Sequence, residues 1–303
     1  MKRRHGRRAV AASLLATFFA LIGVSAVAAQ AEDPTFLVRE IDGTEQKAVE
    51  LTLLWTGEPA DLQELTIREN GAAVKVDDLV DLRKTDRRLA TVIVVDLSGS
   101  MADDGALAAS KASIAKIAEN LPEGDQLALV SFTNDAVVES SFTSSPEQIK
   151  AALDEMVAPR DGRTAMYDAI RKGVSLFETR PGLQPNMLLV TDGSDDVSST
   201  DLAGARASVA SSGAAFFAVQ LTHMEGEVDT DAIDSIIERA GGASFSGTSA
   251  AEVDKAFTDA MTTIRSQFVA SYASKVEQGA VDVEVTVASQ SVKRNYVAGG
   301  KAE

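Results

Sequence analysis

Cysteine is absent from this 303-residue chain and histidine occurs only twice. Without thiols there is no disulfide framework, no thiolate zinc site, no cysteine-anchored lipid and no cysteine nucleophile. His5 lies in the first thirty residues, which leaves His223 alone beyond them, so a multi-histidine metal site and a His-dependent catalytic triad are read as excluded. Basic residues are also scarce, 29 Lys and Arg against 45 Asp and Glu. Such a field repels nucleic acid and anionic surfaces and favours cations as partners. With nitrogen and sulfur donors this rare, the feasible metal chemistry is oxygen-based, suited to Mg²⁺, Ca²⁺ or Mn²⁺.

The segment 1–31 differs in kind from the rest. A basic start (Lys2, Arg3, Arg4, Arg7, Arg8) leads into an apolar stretch from Ala9 to Val27, closed by the small residues Ala26, Ala28, Ala29 and Ala31. That order is expected of a signal peptide cleaved after Ala28 or Ala31, and it places the chain outside the cell or on the extracytoplasmic face of the envelope. The other reading is a retained anchor, the one circumstance in which this protein meets a membrane, because the apolar run approaches the roughly 20 residues that span a bilayer. Loss of residues 1–28 leaves 24 basic against 45 acidic residues, a net charge of −21.

Residues 32–88 have short strand texture: Phe36 to Ile41, Ala48 to Trp55, Leu65 to Arg68 and Ala72 to Val76, the last two joined by the hairpin signal Asn70-Gly71. From Leu89 the texture becomes βαβα. Apolar strands are expected over Leu89–Val95, Gln126–Phe132, Asn186–Thr191, Ala214–Leu221 and Ala243–Phe245, separated by helices near 104–120, 146–156, 165–179, 200–211, 230–240 and 250–268. Such a pattern predicts a doubly wound, mostly parallel sheet with helices on both faces over 89–268. Residues 269–298 return to strands, Val281–Val287 and Val292–Val297. Neither flank has enough strands to stand alone, so the two are expected to meet in a small accessory antiparallel β module, with an unstructured tail at 299–303.

In open α/β sheets, ligands gather beyond the carboxyl ends of the strands. Two apolar runs end there in polar loops, Asp96-Leu97-Ser98-Gly99-Ser100 and Thr191-Asp192-Gly193, and Thr164 opens the third helix. Alternate residues of a tight loop project the same way, and Gly99 is expected to let this one turn tightly. One carboxylate and two hydroxyls can then face a single hard cation. With Thr164 and Asp192 the protein supplies two carboxylates and three hydroxyls, which suits Mg²⁺ first and Mn²⁺ or Ca²⁺ next, and leaves room for an outside oxygen such as a partner's Asp or Glu.

In these loops the sequence resembles the von Willebrand factor A (VWA) family over roughly residues 89 to 268. The resemblance implies that Asp96, Ser98, Ser100, Thr164 and Asp192 fill every position of that family's metal ion-dependent adhesion site (MIDAS). It further implies an adhesive or assembly module that binds a protein partner through the metal. Met101-Ala102-Asp103-Asp104 extends the motif to a longer form shared with integrin β subunits, in which Asp103 and Asp104 would serve a second metal; the simpler reading is that these acids cap the following helix. Arg160 and Arg163, before Thr164, either steer an acidic partner toward the rim or pair with Asp161 or Asp195. Asp195 and Asp196 are read as solvated loop acids.

The order of signal, β segment, A domain and β segment is also similar to the extracytoplasmic part of some bacterial secretion-system membrane proteins, so a structural part in a secretion or pilus-type envelope assembly is the alternative function. Enzymatic activity is not expected. An aspartate after an apolar strand is similar to haloacid dehalogenase-type phosphatases, but those need a second acid two residues on, where Ser98 stands, and no Gly-x4-Gly-Lys phosphate loop is present.

Overall fold

The computed structural model describes residues 34–102, 105–180, 182–222 and 228–299. The expected signal segment, Asp103, Asp104, His223 and the last four residues of the expected tail lie outside these.

The chain opens with strands β1 (Phe36–Asp42), β2 (Val49–Trp55), β3 (Thr66–Glu69), β4 (Ala72–Val74) and β5 (Val76–Asp81). A βα region follows: β6 (Leu89–Asp96), α1 (Ala106–Glu119), β7 (Gln126–Phe132), β8 (Ala136–Thr143), α2 (Pro146–Glu155), α3 (Met166–Phe177), β9 (Gln184–Thr191), α4 (Leu202–Ser212), β10 (Ala215–Leu221), α5 (Thr230–Ala240), β11 (Ser244–Gly247) and α6 (Ala250–Arg265). Strands β12 (Gln267–Tyr272), β13 (Gly279–Val287) and β14 (Gln290–Ala298) close the fold.

The central sheet has six strands in the order β11-β10-β9-β6-β7-β8. All its pairings are parallel except β7 with β8. Every residue of β6 is buried, as a strand covered on both faces requires. Its side chains alternate between two cores. Ile93 and Val95 pack with Ile114 of α1 and Phe257 and Ile264 of α6, whereas Val92 and Val94 pack with Ile170 of α3, Val209 of α4 and Ile233 of α5. Helix starts are fixed by side-chain caps: Ser145 on α2, Asp201 on α4, and a Ser249–Glu252 capping box on α6.

The flanks build two four-stranded antiparallel sheets, β1-β2-β12-β5 and β14-β13-β3-β4. Their inner faces share one core in which Leu51, Leu53 and Trp55 meet Ile67, Val283 and Val285. Asn70 and Gly71 form the expected hairpin turn with φ of 48° and 82°.

Three strands depart from the sequence reading. The stretch 72–76 breaks at Lys75, and β5 continues into the other sheet. The last helix ends at Arg265 rather than 268, because Gln267–Tyr272 is taken as a central strand between β2 and β5. Strand β8 was not expected at all. At the C-terminus, Gly299 donates its N–H to the Gly43 carbonyl at 2.9 Å, which fixes the first residue of the expected tail.

Candidate metal centre

Strand β6 delivers Asp96 to the carboxyl edge of the central sheet, and its neighbour β9 delivers Thr191 and Asp192 beside it. Asp96 and Asp192 are fully buried, and Ser98 and Thr164 are nearly so. One Asp96 oxygen accepts the Ser98 N–H at 2.7 Å, which curls the loop back on its strand; the other accepts the Thr191 hydroxyl at 2.6 Å. The Ser98 and Ser100 hydroxyls lie 3.1 Å apart, and Ser100 donates to Asp192 Oδ1 at 2.8 Å. Four of the five expected ligands thus form one hydrogen-bonded chain across two loops.

Thr164 comes from a third loop. A Cβ placed on Gly193 would lie 3.9 Å from its hydroxyl, so that hydroxyl sits next to the residue following Asp192. Its loop is clamped to the first: Gly99 donates its N–H to the Gly162 carbonyl at 2.9 Å, and a Cβ at Gly99 would meet the Arg160 carbonyl at 2.4 Å. The reason for glycine at 99 is therefore close approach of a neighbouring backbone. The turn itself does not demand it, since Gly99 is not among the glycines with positive φ.

The donor set is all oxygen, two carboxylates and three hydroxyls, and it fits a hard divalent cation. Among the described residues no group of three or more His, Cys, Asp or Glu is placed to hold a metal ion. Burial pushes the Asp96 carboxyl up to about 6; hydrogen bonds from Thr191 and Ser98 work against that rise, and the charge of Asp192 adds to it. Among the described residues no Lys, Arg or His forms an ion pair with Asp96.

Residues 91–194 match the family model described as von Willebrand factor type A domain, a span that contains all five expected ligands. The central unit has a VWA-type fold. Among solved structures, a von Willebrand factor type A protein from Catenulispora acidiphila aligns at 15% identity over 89% of this chain and 73% of its own, with a TM-score of 0.54. Proximal thread matrix protein 1 from the mussel byssus aligns at 19% identity over 68% of this chain and 50% of its own, with a TM-score of 0.51. A further structure of that mussel protein, described as having a zinc-occupied MIDAS motif, gives 16% identity, coverage of 59% and 48%, and a TM-score of 0.50. At these identities the likeness is one of fold. Among curated proteins no match is found.

Several residues that support the rim were not read from the sequence as having that role. Thr191 anchors Asp96. Asp196 is no solvated bystander: it accepts the Thr164 N–H at 2.8 Å, its own N–H donates to the Thr164 carbonyl at 2.9 Å, and its second oxygen takes Arg163 Nε at 3.1 Å. Asp195 accepts the Tyr167 N–H at 3.1 Å and the Ser198 hydroxyl, satisfying the first turn of α3. Arg163 therefore pairs with Asp196 rather than with Asp161 or Asp195, and Arg160 contributes its carbonyl to the clamp on Gly99. Asp168 is held below the usual carboxylate range: burial raises it, and hydrogen bonds from Thr200 and Ser199 outweigh that.

Proposed function

We propose that this rim binds a divalent cation, Mg²⁺ by preference, and that the protein is an exported module that grips an acidic side chain of a protein partner through it. The reading rests above all on the hydrogen-bonded chain Asp96–Ser98–Ser100–Asp192, which gathers oxygen ligands from separate loops at the carboxyl edge of a parallel sheet. Asp96, Ser98, Ser100, Thr164 and Asp192 would hold the ion. A bound cation would supply an electropositive vertex, and because three of the five donors are neutral hydroxyls it would keep attraction for a further carboxylate.

The chain's own residues preorganise that arrangement. Thr191 and the Ser98 amide orient the Asp96 carboxylate, Asp196 fixes Thr164, and the clamp of Gly99 on the 160–162 backbone holds the loops in register. Binding is favoured over catalysis because no histidine or cysteine is described near the rim and the Ser98 and Ser100 hydroxyls are engaged in the ligand chain. The basic and apolar start of the sequence supports export.

The test is calorimetric titration of Mg²⁺ and Mn²⁺ into the protein and its Asp96→Ala variant, followed by partner capture in Mg²⁺ or chelator. Saturable binding in the wild type alone, with partners released by chelator, supports the reading. Absence of divalent-ion binding at millimolar concentration overturns it.

A further inference from the structure

At the opposite end of the central sheet, before β9 and β10, a groove of about 1510 Å³ separates the helical layer from the antiparallel sheets. An eight-residue strand, roughly 26 Å long at about 3.3 Å per residue, lies between this groove and the candidate metal rim. The groove inverts the charge balance of the molecule. Six basic and four acidic residues line it, in a chain with 29 basic and 45 acidic residues. Two of the basic residues have carboxylate partners, Arg87 with Glu50 and Lys293 with Glu284. The other four, Arg39, Arg68, Arg239 and Arg294, form no ion pair among the described residues.

Each of these four has a place set by the backbone. Arg39 occupies a bulge in β1, where the pairing skips from Val38–Leu53 to Glu40–Thr52. The bulge redirects its side chain into the groove floor, where it donates to Asn186 Oδ1 at 3.0 Å, Gln267 Oε1 at 2.5 Å and the Pro185 carbonyl at 2.7 Å. All these acceptors are neutral, and the negative charge that acts on Arg39 is that of its chain neighbour Glu40, which also lines the groove. Arg68 donates to the Gly71 carbonyl of its own hairpin, again a neutral acceptor. Arg239, in the last turn of α5, and Arg294, on β14, face one another closely enough that, with Arg294 at the surface, partial burial of its guanidinium first and the Arg239 charge second lower it.

The geometry points to this groove as a docking site for a short acidic peptide segment of a partner protein, its carboxylates taken by Arg68, Arg239 and Arg294 above the positive floor set by Arg39. Guanidinium forks match carboxylates bidentately. The volume exceeds the roughly 300–1,000 Å³ of small-ligand pockets and suits an extended segment. The acidic field of the whole molecule opposes long polyanions such as nucleic acid, which favours a short segment captured locally.

Fluorescein-labelled hexaglutamate, titrated into the protein in chelator and followed by anisotropy, tests this independently of the metal rim. Saturable binding is expected, weakened about tenfold or more in Arg239→Glu/Arg294→Glu, and unchanged in Asp96→Ala and in Lys150→Glu/Lys172→Glu, which makes the same net charge change elsewhere. The three groove arginines are exposed, so their variants should fold, and circular dichroism melts check this. If the double variant does not fold, Arg68→Gln carries the same expectation. No binding, or equal loss in the Lys150→Glu/Lys172→Glu control, overturns the proposal. Displacement of the peptide by tripolyphosphate at concentrations below those of unlabelled hexaglutamate also overturns it, by assigning the groove to phosphate.

Discussion

The Ser100 hydroxyl and Asp192 Oδ1, 92 residues apart in sequence, are joined by a 2.8 Å hydrogen bond that ties the loop after β6 to the loop after β9. If the rim holds the proposed cation, two of the loops that would supply its oxygens are already joined by the chain itself. Joining the loops beforehand would reduce the reorganisation such an ion must drive, and preorganisation of this kind favours affinity.

Burying Asp96 without a counter-cation carries a cost that can be measured. Its carboxyl is raised from the ordinary carboxylate value to about 6, so the folded chain holds a proton between about pH 4 and 6 that the unfolded chain has released. The stability contribution is therefore fully present below about pH 4 and is lost as pH rises through about 6, a penalty of roughly 3 kcal/mol by pH 7. Metal-free Asp96→Asn is expected to melt no lower than metal-free wild type at pH 7. Millimolar Mg²⁺ should raise the melting temperature of the wild type alone. A variant that responds to Mg²⁺ as the wild type does counts against the assignment of Asp96.

Two glycines in the site give opposite expectations. Gly99→Ala puts a methyl 2.4 Å from the Arg160 carbonyl, so the 160–162 backbone must shift; a loss of about 1–3 kcal/mol with weakened ion binding is expected. Gly193→Ala meets only the Thr164 hydroxyl at 3.9 Å, an ordinary contact, and should change either quantity little. Paired thermal melts and Mn²⁺ titrations would reveal a reversal of this order.

The sequence made some of this legible and hid the rest for physical reasons. Strands β6 and β9 are buried on both faces, so their apolar runs stand out, and the acids at their ends mark the rim. Strand β8 has no such run: Glu139, Ser140 and Ser141 interrupt it at the sheet edge, and its place comes from pairing with β7. Strand β12 continues directly from α6, and pairing with β2 and β5 overrides the helical texture that precedes it. Asp195 and Asp196 are indistinguishable in sequence from solvated loop acids, because the amides they accept belong to residues about thirty positions earlier.

Inside the antiparallel sheets, Glu69 accepts Tyr272 and Tyr296 hydroxyls at 2.8 Å each and the Ser274 hydroxyl at 2.9 Å, joining β3, β12 and β14. Burial, then the bond to Glu69, raises the Tyr272 phenol well above its ordinary range, and burial raises Tyr296. Above about pH 10 the unfolded chain releases these protons while the folded chain keeps them, so stability falls as pH rises. Alkaline denaturation should begin there, and Tyr272→Phe should flatten the slope while costing about 1–3 kcal/mol at neutral pH through the acceptor it leaves underbonded. An unchanged slope in that variant would place the alkaline transition elsewhere.

Asp196 and Arg163 are joined by an ion pair, yet they should differ sharply in consequence. Both side chains of that pair are about half exposed, so the pair itself is worth about 0–1 kcal/mol, and Arg163→Gln is expected to leave stability and ion affinity nearly unchanged. Asp196 does more, since its carboxylate also accepts the Thr164 N–H and thereby fixes the backbone that presents the Thr164 hydroxyl. Asp196→Ala leaves that nearly buried amide without its acceptor and frees the loop, so Mg²⁺ affinity should fall about tenfold although no proposed ligand is altered. Asp196→Asn keeps an amide oxygen for the Thr164 N–H and loses the charge that holds Arg163, and it should restore most of the affinity. That rescue separates the two roles: if Asp196→Asn and Arg163→Gln were both as damaging as Asp196→Ala, the ion pair, and not the bond to Thr164, would be what holds the rim.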